Sequence, residues 1–286
     1  MSSVSSTVVS RRRSSKRQSN TGAYIVLSIA AFVMAFPFVW QLIMSLSTEQ
    51  EVTSVPPTFW PARLQFDNYT EVFDTIPFLN QLGVSIAYTA LRVTGQVVLC
   101  SLAGYAFARM RFAAKGILLG LILSILMVPS QVYLIPQFQL VQGLGLLNTV
   151  WGIALPGVFS AFGVFLMRQF FMNLPVELEE AARLDGANPF QVFWRIMLPL
   201  AGPAISALVI LTTLASWNDL LWPLVVTTFA ERMPLAVGLA TMQGTYQTDY
   251  TLMMATSVLA MAPVLILFVI LQRRVVAGLA FTGTKG

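Results

Sequence analysis

Residues 174–203 read LPVELEEAARLDGANPFQVFWRIMLPLAGP, the longest charged interruption after residue 80 of a chain otherwise dominated by apolar runs. Two short helices are legible in it. The first has Pro175 at its opening turn and Glu177, Glu179 and Glu180 near the positive helix start. It closes at Gly186, where a left-handed C-terminal cap belongs. The second takes Asn188 as N-cap and Pro189 at its first position, and is expected to stop before Pro199. Leu178, Ala181 and Ala182 fall at i, i+3, i+4 as a small-residue face, and Phe190, Phe193, Trp194 and Met197 follow. A mere linker has no use for three aromatics. Either they form an exposed patch for a protein partner, or they pack back on the chain's own helix ends.

The flanking sequence says what this stretch interrupts. Hydrophobic residues make up 56% of the 286 and charged residues 10%, with a mean hydropathy of +0.74. Those values place the chain outside the soluble range and predict an all-α, polytopic membrane protein. Six spans are expected, at about 23–46, 82–108, 116–138, 150–171, 201–227 and 252–272. Before them, residues 1–22 form a Ser-rich basic tail expected to be disordered, joined to an uncleaved anchor rather than a signal peptide. After them, 273–286 forms a C-terminal tail.

Charge distribution gives the orientation. Of 17 Lys and Arg residues, fourteen fall in the N-tail, at 109–115, at 168–195 and in the C-tail. Arg63 and Arg232 fall on the other side, and Arg92 within a span. The positive-inside rule then puts both termini and the 174–200 loop in the cytoplasm. The net charge of +5 follows from membrane topology and does not point to nucleic acid. Histidine is absent and Cys100 is the only cysteine, which removes disulfides, ordinary zinc sites and the usual proton shuttle. No metal site and no catalysis by this chain alone are expected.

The loop also resembles a known family. Glu180-Ala181-Ala182, Asp185-Gly186-Ala187, Ile196 and Leu198-Pro199 match the EAA loop of permease subunits of binding-protein-dependent ABC importers. The resemblance implies a type I importer permease fold and a coupling helix that docks in a cleft of a separate ATPase. There Glu180 would pair with a basic residue, Ala181 and Ala182 would permit close approach, Gly186 would make the turn, and Phe193 would belong to the docking unit. Residues 127–136, 143–149 and 165–171 resemble the carbohydrate branch of that family. Its implied partners are a second, similar permease, an ATPase dimer that holds ATP and magnesium, an extracytoplasmic solute-binding protein and the bilayer of the bacterial inner membrane.

Within the spans, Ser216-Trp217-Asn218-Asp219-Leu220-Leu221-Trp222-Pro223 resembles the W-N-(D/E)-x-x-W-P stretch of carbohydrate permeases. It nominates Trp217, Asn218, Asp219 and Trp222 for the solute path, by stacking and hydrogen bonding to hydroxyls. Alternatively Asp219 is a structural acid bonded to a neighbouring helix. Arg92 is costly in mid-bilayer and is read either as a path or contact residue or as half of an ion pair. Pro129, Pro136 and Pro156-Gly157 interrupt two spans, as in helices broken to line a path or in ordinary packed ones. The ending around Gly278, Leu279 and Lys285 lacks a phosphate loop's Lys-Ser/Thr order and resembles the maltose-type permease tail that reaches between ATPase subunits. Importers of glycerol phosphodiesters or polyols, and a self-sufficient secondary transporter, are the alternative readings.

Overall fold

The structure is a computed structural model that describes residues 21–56, 58–244 and 248–282, with side chains as far as residue 270. The basic tail through residue 20, Tyr246, Gln247 and Lys285 lie outside the described residues. Every regular element among those described is helical.

The chain enters through α1 (Thr21–Ser45), whose apolar side chains are exposed along nearly its whole length. The segment that follows is ordered by its own acids. In α2 (Glu49–Thr53) Glu51 accepts from Thr48 N–H at 2.9 Å and from Ala62 N–H at 2.8 Å, and these donors hold its carboxyl below the usual range. After α3 (Asp67–Thr75) comes α4 (Phe78–Arg109), the long central span.

The third expected span does not run straight. α5 (Lys115–Ser124) and the turn after it meet α6 (Leu134–Gly143) and the turn before it at 99°. The cause is Pro129, which drives Val128 to φ −92°, ψ 119° and so out of the helical region. α7 (Val150–Ala154) breaks likewise at Leu155–Gly157, around Pro156, and Ser160 restarts the chain by capping α8 (Ala161–Asn173) through Gly163 N–H at 3.2 Å; the bend is 46°.

The loop then folds as α9 (Glu177–Leu184) and α10 (Pro189–Val192). Against expectation, the second helix does not stop before Pro199. It runs on through a π-turn, Phe193–Met197, in which Leu198 N–H reaches Phe193 O, into α11 (Leu198–Leu200). The wide turn shifts the ladder so that Pro199 falls in the first turn of α11, where its missing N–H leaves no gap.

A 73° bend at Ala201 leads into α12 (Gly202–Trp217). The single span expected over 201–227 divides there too, since α12 ends at Asn218 and α13 (Leu221–Val226) begins separately. Then come α14 (Leu235–Thr241), buried through Leu235 and Val237, and α15 (Tyr250–Thr282). Asp249 and Glu49 cap α15: Asp249 accepts Leu252 N–H, and Glu49 accepts Tyr250 N–H at 3.1 Å. Among the described residues three helices are long and apolar enough to cross a membrane alone, and the count rises to six where each of the three bent pairs is one span.

Glycines set the central seam. α8 and the break before it lie so close to α4 that a Cβ on Gly104 would stand 2.7 Å from Met167 Cβ of α8, and one on Gly95 would stand 2.8 Å from Val158 Cβ of the break. The largest buried cluster sits beside this seam. It joins Cys100 and Tyr105 of α4 and Met167 and Phe171 of α8 to Val192, Phe193 and Met197 of the loop and to Leu208 of α12. The charged loop is therefore fastened into the helix bundle.

Candidate functional site

The loop's conformation follows from its caps. Gly186 takes φ +85°, a conformation open to glycine at little cost, and its N–H reaches Arg183 O at 3.0 Å. Asn188 and Gln191 form a reciprocal capping box with both bonds at 2.9 Å. The turn is thus fixed by local chemistry before any packing.

Packing then sorts the side chains. Glu180, Ala181, Asp185, Gly186 and Pro199 are exposed, Ala182 and Phe193 are buried, and Ala187, Ile196 and Leu198 pack half-buried against the main core. Leu178 and Ala181 do not share a buried face with Ala182; both are exposed. The aromatics divide in the same way: Phe193 stacks into the core with Tyr105 and Phe171, while Phe190 is 67% and Trp194 40% exposed. Leu184 is 89% exposed on the same loop, an apolar side chain with nothing from its own chain on it. The outer edge is therefore acidic at Glu180 and Asp185 and apolar at Leu184 and Phe190.

Sequence reasoning singled out Glu180 and missed its neighbour. Glu179 is 3% exposed. Its Oε1 lies 3.2 Å from Arg109 Nε, a charge contact whose angle falls short of a hydrogen bond. Its Oε2 takes the Arg183 guanidinium at 3.3 Å and the Tyr105 hydroxyl at 3.4 Å. Arg109 also donates to Leu174 O. One carboxylate thereby ties the end of α4 to α9 and to the end of α8. The i, i+4 spacing of Glu179 and Arg183 was the available signal; Arg109 is too distant in sequence to show it.

A second polar group lies within the spans. Arg92 on α4 meets Asp219 at 2.8 Å, with side chains 18% and 20% exposed. Below it, Gln96 donates to Gly157 O at 2.8 Å and accepts from Thr212 at 2.7 Å, tying α4 to the α7–α8 break and to α12. Arg92 and Asp219 share a cavity of about 290 Å³ with Tyr133, Gln137 and Trp222. A larger adjoining one of about 730 Å³ also touches Arg92, Gln96 and Tyr133. Both open at the Pro129 and Pro156 breaks. Of the residues lining the two cavities only Arg92 and Asp219 carry charge, and they neutralise each other.

The nominated aromatic stretch is split by its own break. Trp222 is 7% exposed and donates its indole N–H to Gly152 O and Ile153 O, each at 3.2 Å. Trp217 donates to Ala260 O at 3.1 Å and, with Asn218, lines a separate cavity against α15. Tyr133, 40% exposed beside the ion pair, was not singled out in the sequence. With Phe159, 41% exposed at the larger cavity, it offers an aromatic ring with free surface. Gly278 and Leu279 fall inside α15, so the expected tail continues the helix as far as Thr282.

Two cavities at helix breaks, with a loop welded to the spans and one edge left bare, are features that a transport permease uses. The fold agrees: the structure superposes with a TM-score of 0.78 on a chain of a bacterial ABC transporter involved in the import of the acidic polysaccharide alginate. That chain is 27% identical over 89% of this chain and 95% of its own. Residues 96–280 match the profile of the binding-protein-dependent transport system inner membrane component, and the chain belongs to that family. It is 36% identical to the arabinooligosaccharides transport system permease protein AraQ of Halalkalibacterium halodurans, over 92% of this chain and 95% of the relative. It is 31% identical to the sn-glycerol-3-phosphate transport system permease protein UgpE of Brucella suis, over 92% and 97%.

Proposed function

We propose that this chain is one of two permease subunits of an ATP-driven importer of a neutral di- or oligosaccharide. It lies in the bacterial inner membrane with both termini and the 174–200 loop in the cytoplasm. An extracytoplasmic binding protein delivers the sugar, a second permease completes the path, and a separate ATPase dimer holds ATP and magnesium and does the hydrolysis. This chain performs no catalysis.

The observation that carries the reading is the attachment of the loop. Its bare edge of Glu180, Leu184 and Phe190 suits a cleft in a partner, while Phe193 and Met197 are sealed into the core with α4, α8 and α12. A push on that edge moves the spans with it, because a close-packed core transmits displacement rather than absorbing it. The two bent pairs at Pro129 and Pro156 are where the spans can then re-angle.

The solute class follows from charge. An uncompensated cation would favour a phosphodiester or uronate, and the one cation lining these cavities, Arg92, is paired with Asp219. Gln137 and Tyr133 offer hydroxyl partners and a ring face, which suits a neutral sugar. The likeness to the arabinooligosaccharide permease supports the same class.

Uptake in cells tests the coupling role. Glu180→Lys reverses an exposed charge and Gly186→Pro forbids φ +85°, so both are expected to reduce sugar uptake to background in chains that still reach the membrane. Normal uptake by either variant would remove the loop from the mechanism.

A further inference from the structure

One cavity lies apart from the path and reaches the docking edge only at Glu180. About 890 Å³ in volume, it opens between the end of α4, the start of α5 and the inner side of α9. Four cations line it, Arg109, Arg111, Lys115 and Arg183, against two acids, Glu179 and Glu180. Glu179 is already shared between Arg109 and Arg183. Arg111 is exposed and has no hydrogen bond or ion pair among the described residues. Lys115 donates to Met110 O at 2.9 Å and to Ala108 O at 3.5 Å, and has a third donor to give. The cavity therefore carries surplus positive charge with unfilled donors.

We propose that this cavity binds a phosphate-bearing anion, held by Arg111 and Lys115 with Arg183, and that the anion bridges α5 to the coupling loop. Guanidinium and ammonium groups converging on one opening form strong charge-assisted bonds to phosphate oxygens. The location points to an anionic phospholipid headgroup as the source. Lys115 starts α5, whose Ile117 and Leu121 are 69% and 61% exposed, so an acyl chain can lie along the helix while its phosphate turns into the cavity. Basic pockets at the cytoplasmic ends of spans hold lipid headgroups in this way. The inference rests on the proposed function for the side of the membrane the cavity faces, and it assigns the loop a second ligand besides the ATPase.

The test uses the intact importer, purified in mild detergent and observed by native mass spectrometry during titration with phosphatidylglycerol or phosphatidylcholine. Wild type is expected to retain one more phosphatidylglycerol than Arg111→Glu, with Arg111→Lys restoring it and phosphatidylcholine showing no difference. Arg111 makes no bond that folding needs, so the variant should assemble. Inorganic phosphate at millimolar concentration is expected not to displace the lipid. If phosphatidylglycerol is not retained but wild type binds inorganic phosphate and Arg111→Glu does not, the site stands and its ligand is a free phosphate. Equal binding of both probes by wild type and Arg111→Glu overturns the proposal. The same spectra show whether an ATPase accompanies the chain, so a failure of the importer reading is seen separately.

Discussion

Glu179→Ala is expected to abolish coupled uptake and to lower the thermal midpoint of the purified importer by several degrees. The carboxylate is nearly inaccessible, and its removal leaves Arg109, with a side chain only 12% exposed, facing Arg183 with no counter-charge. Breaking such a pair from one side costs about 3–5 kcal/mol, because the remaining ion keeps its desolvation penalty. The damage falls where α4, α8 and α9 meet, so the loop would lose its lever arm. Glu179→Gln keeps the shape and one acceptor and should fall between the two. Glu180→Gln serves as the contrast: that residue is exposed, so uptake should drop with no change in thermal midpoint. An unchanged midpoint in Glu179→Ala would mean that the buried network does not hold the loop.

The other large effect is expected at the α4–α8 seam. Gly104→Leu places its Cβ 2.7 Å from Met167 Cβ and 2.9 Å from Arg168 N, atoms of the facing helix that no side-chain rotation removes. Overpacking of this kind costs about 1–3 kcal/mol where the core can shift, and more where backbone is the obstacle. The variant should fail to accumulate in membranes or should arrive without its partners. Gly83→Leu, on the same helix with nothing within 4 Å, should accumulate normally in the same immunoblot. Normal accumulation and uptake by Gly104→Leu would contradict the seam.

Local chemistry explains what the sequence made legible. The turn at Gly186 and the start at Asn188-Pro189 depend on residues within four positions of one another. Pro129 and Pro156 announced their breaks because a missing N–H acts on its immediate neighbours. What stayed hidden depends on distant partners. The 99° angle at Pro129 is set by packing, and the choice between adjacent acids Glu179 and Glu180 is made by Arg109, about seventy residues earlier. Asp219 was readable either as a path residue or as a structural acid, and it is paired to α4 while still lining a cavity. Trp217 and Trp222 looked like one cluster because a helix was expected to continue between them. The break at Asn218 turns them to different neighbours.

The measurement closest to the central claim is co-purification of the tagged chain in mild detergent, with its companions identified by mass spectrometry. The account predicts an ATPase and a second permease in comparable amounts, with the ATPase alone lost in Glu180→Lys and the second permease retained. A chain recovered without an ATPase, which still moves sugar into liposomes without ATP, would contradict it.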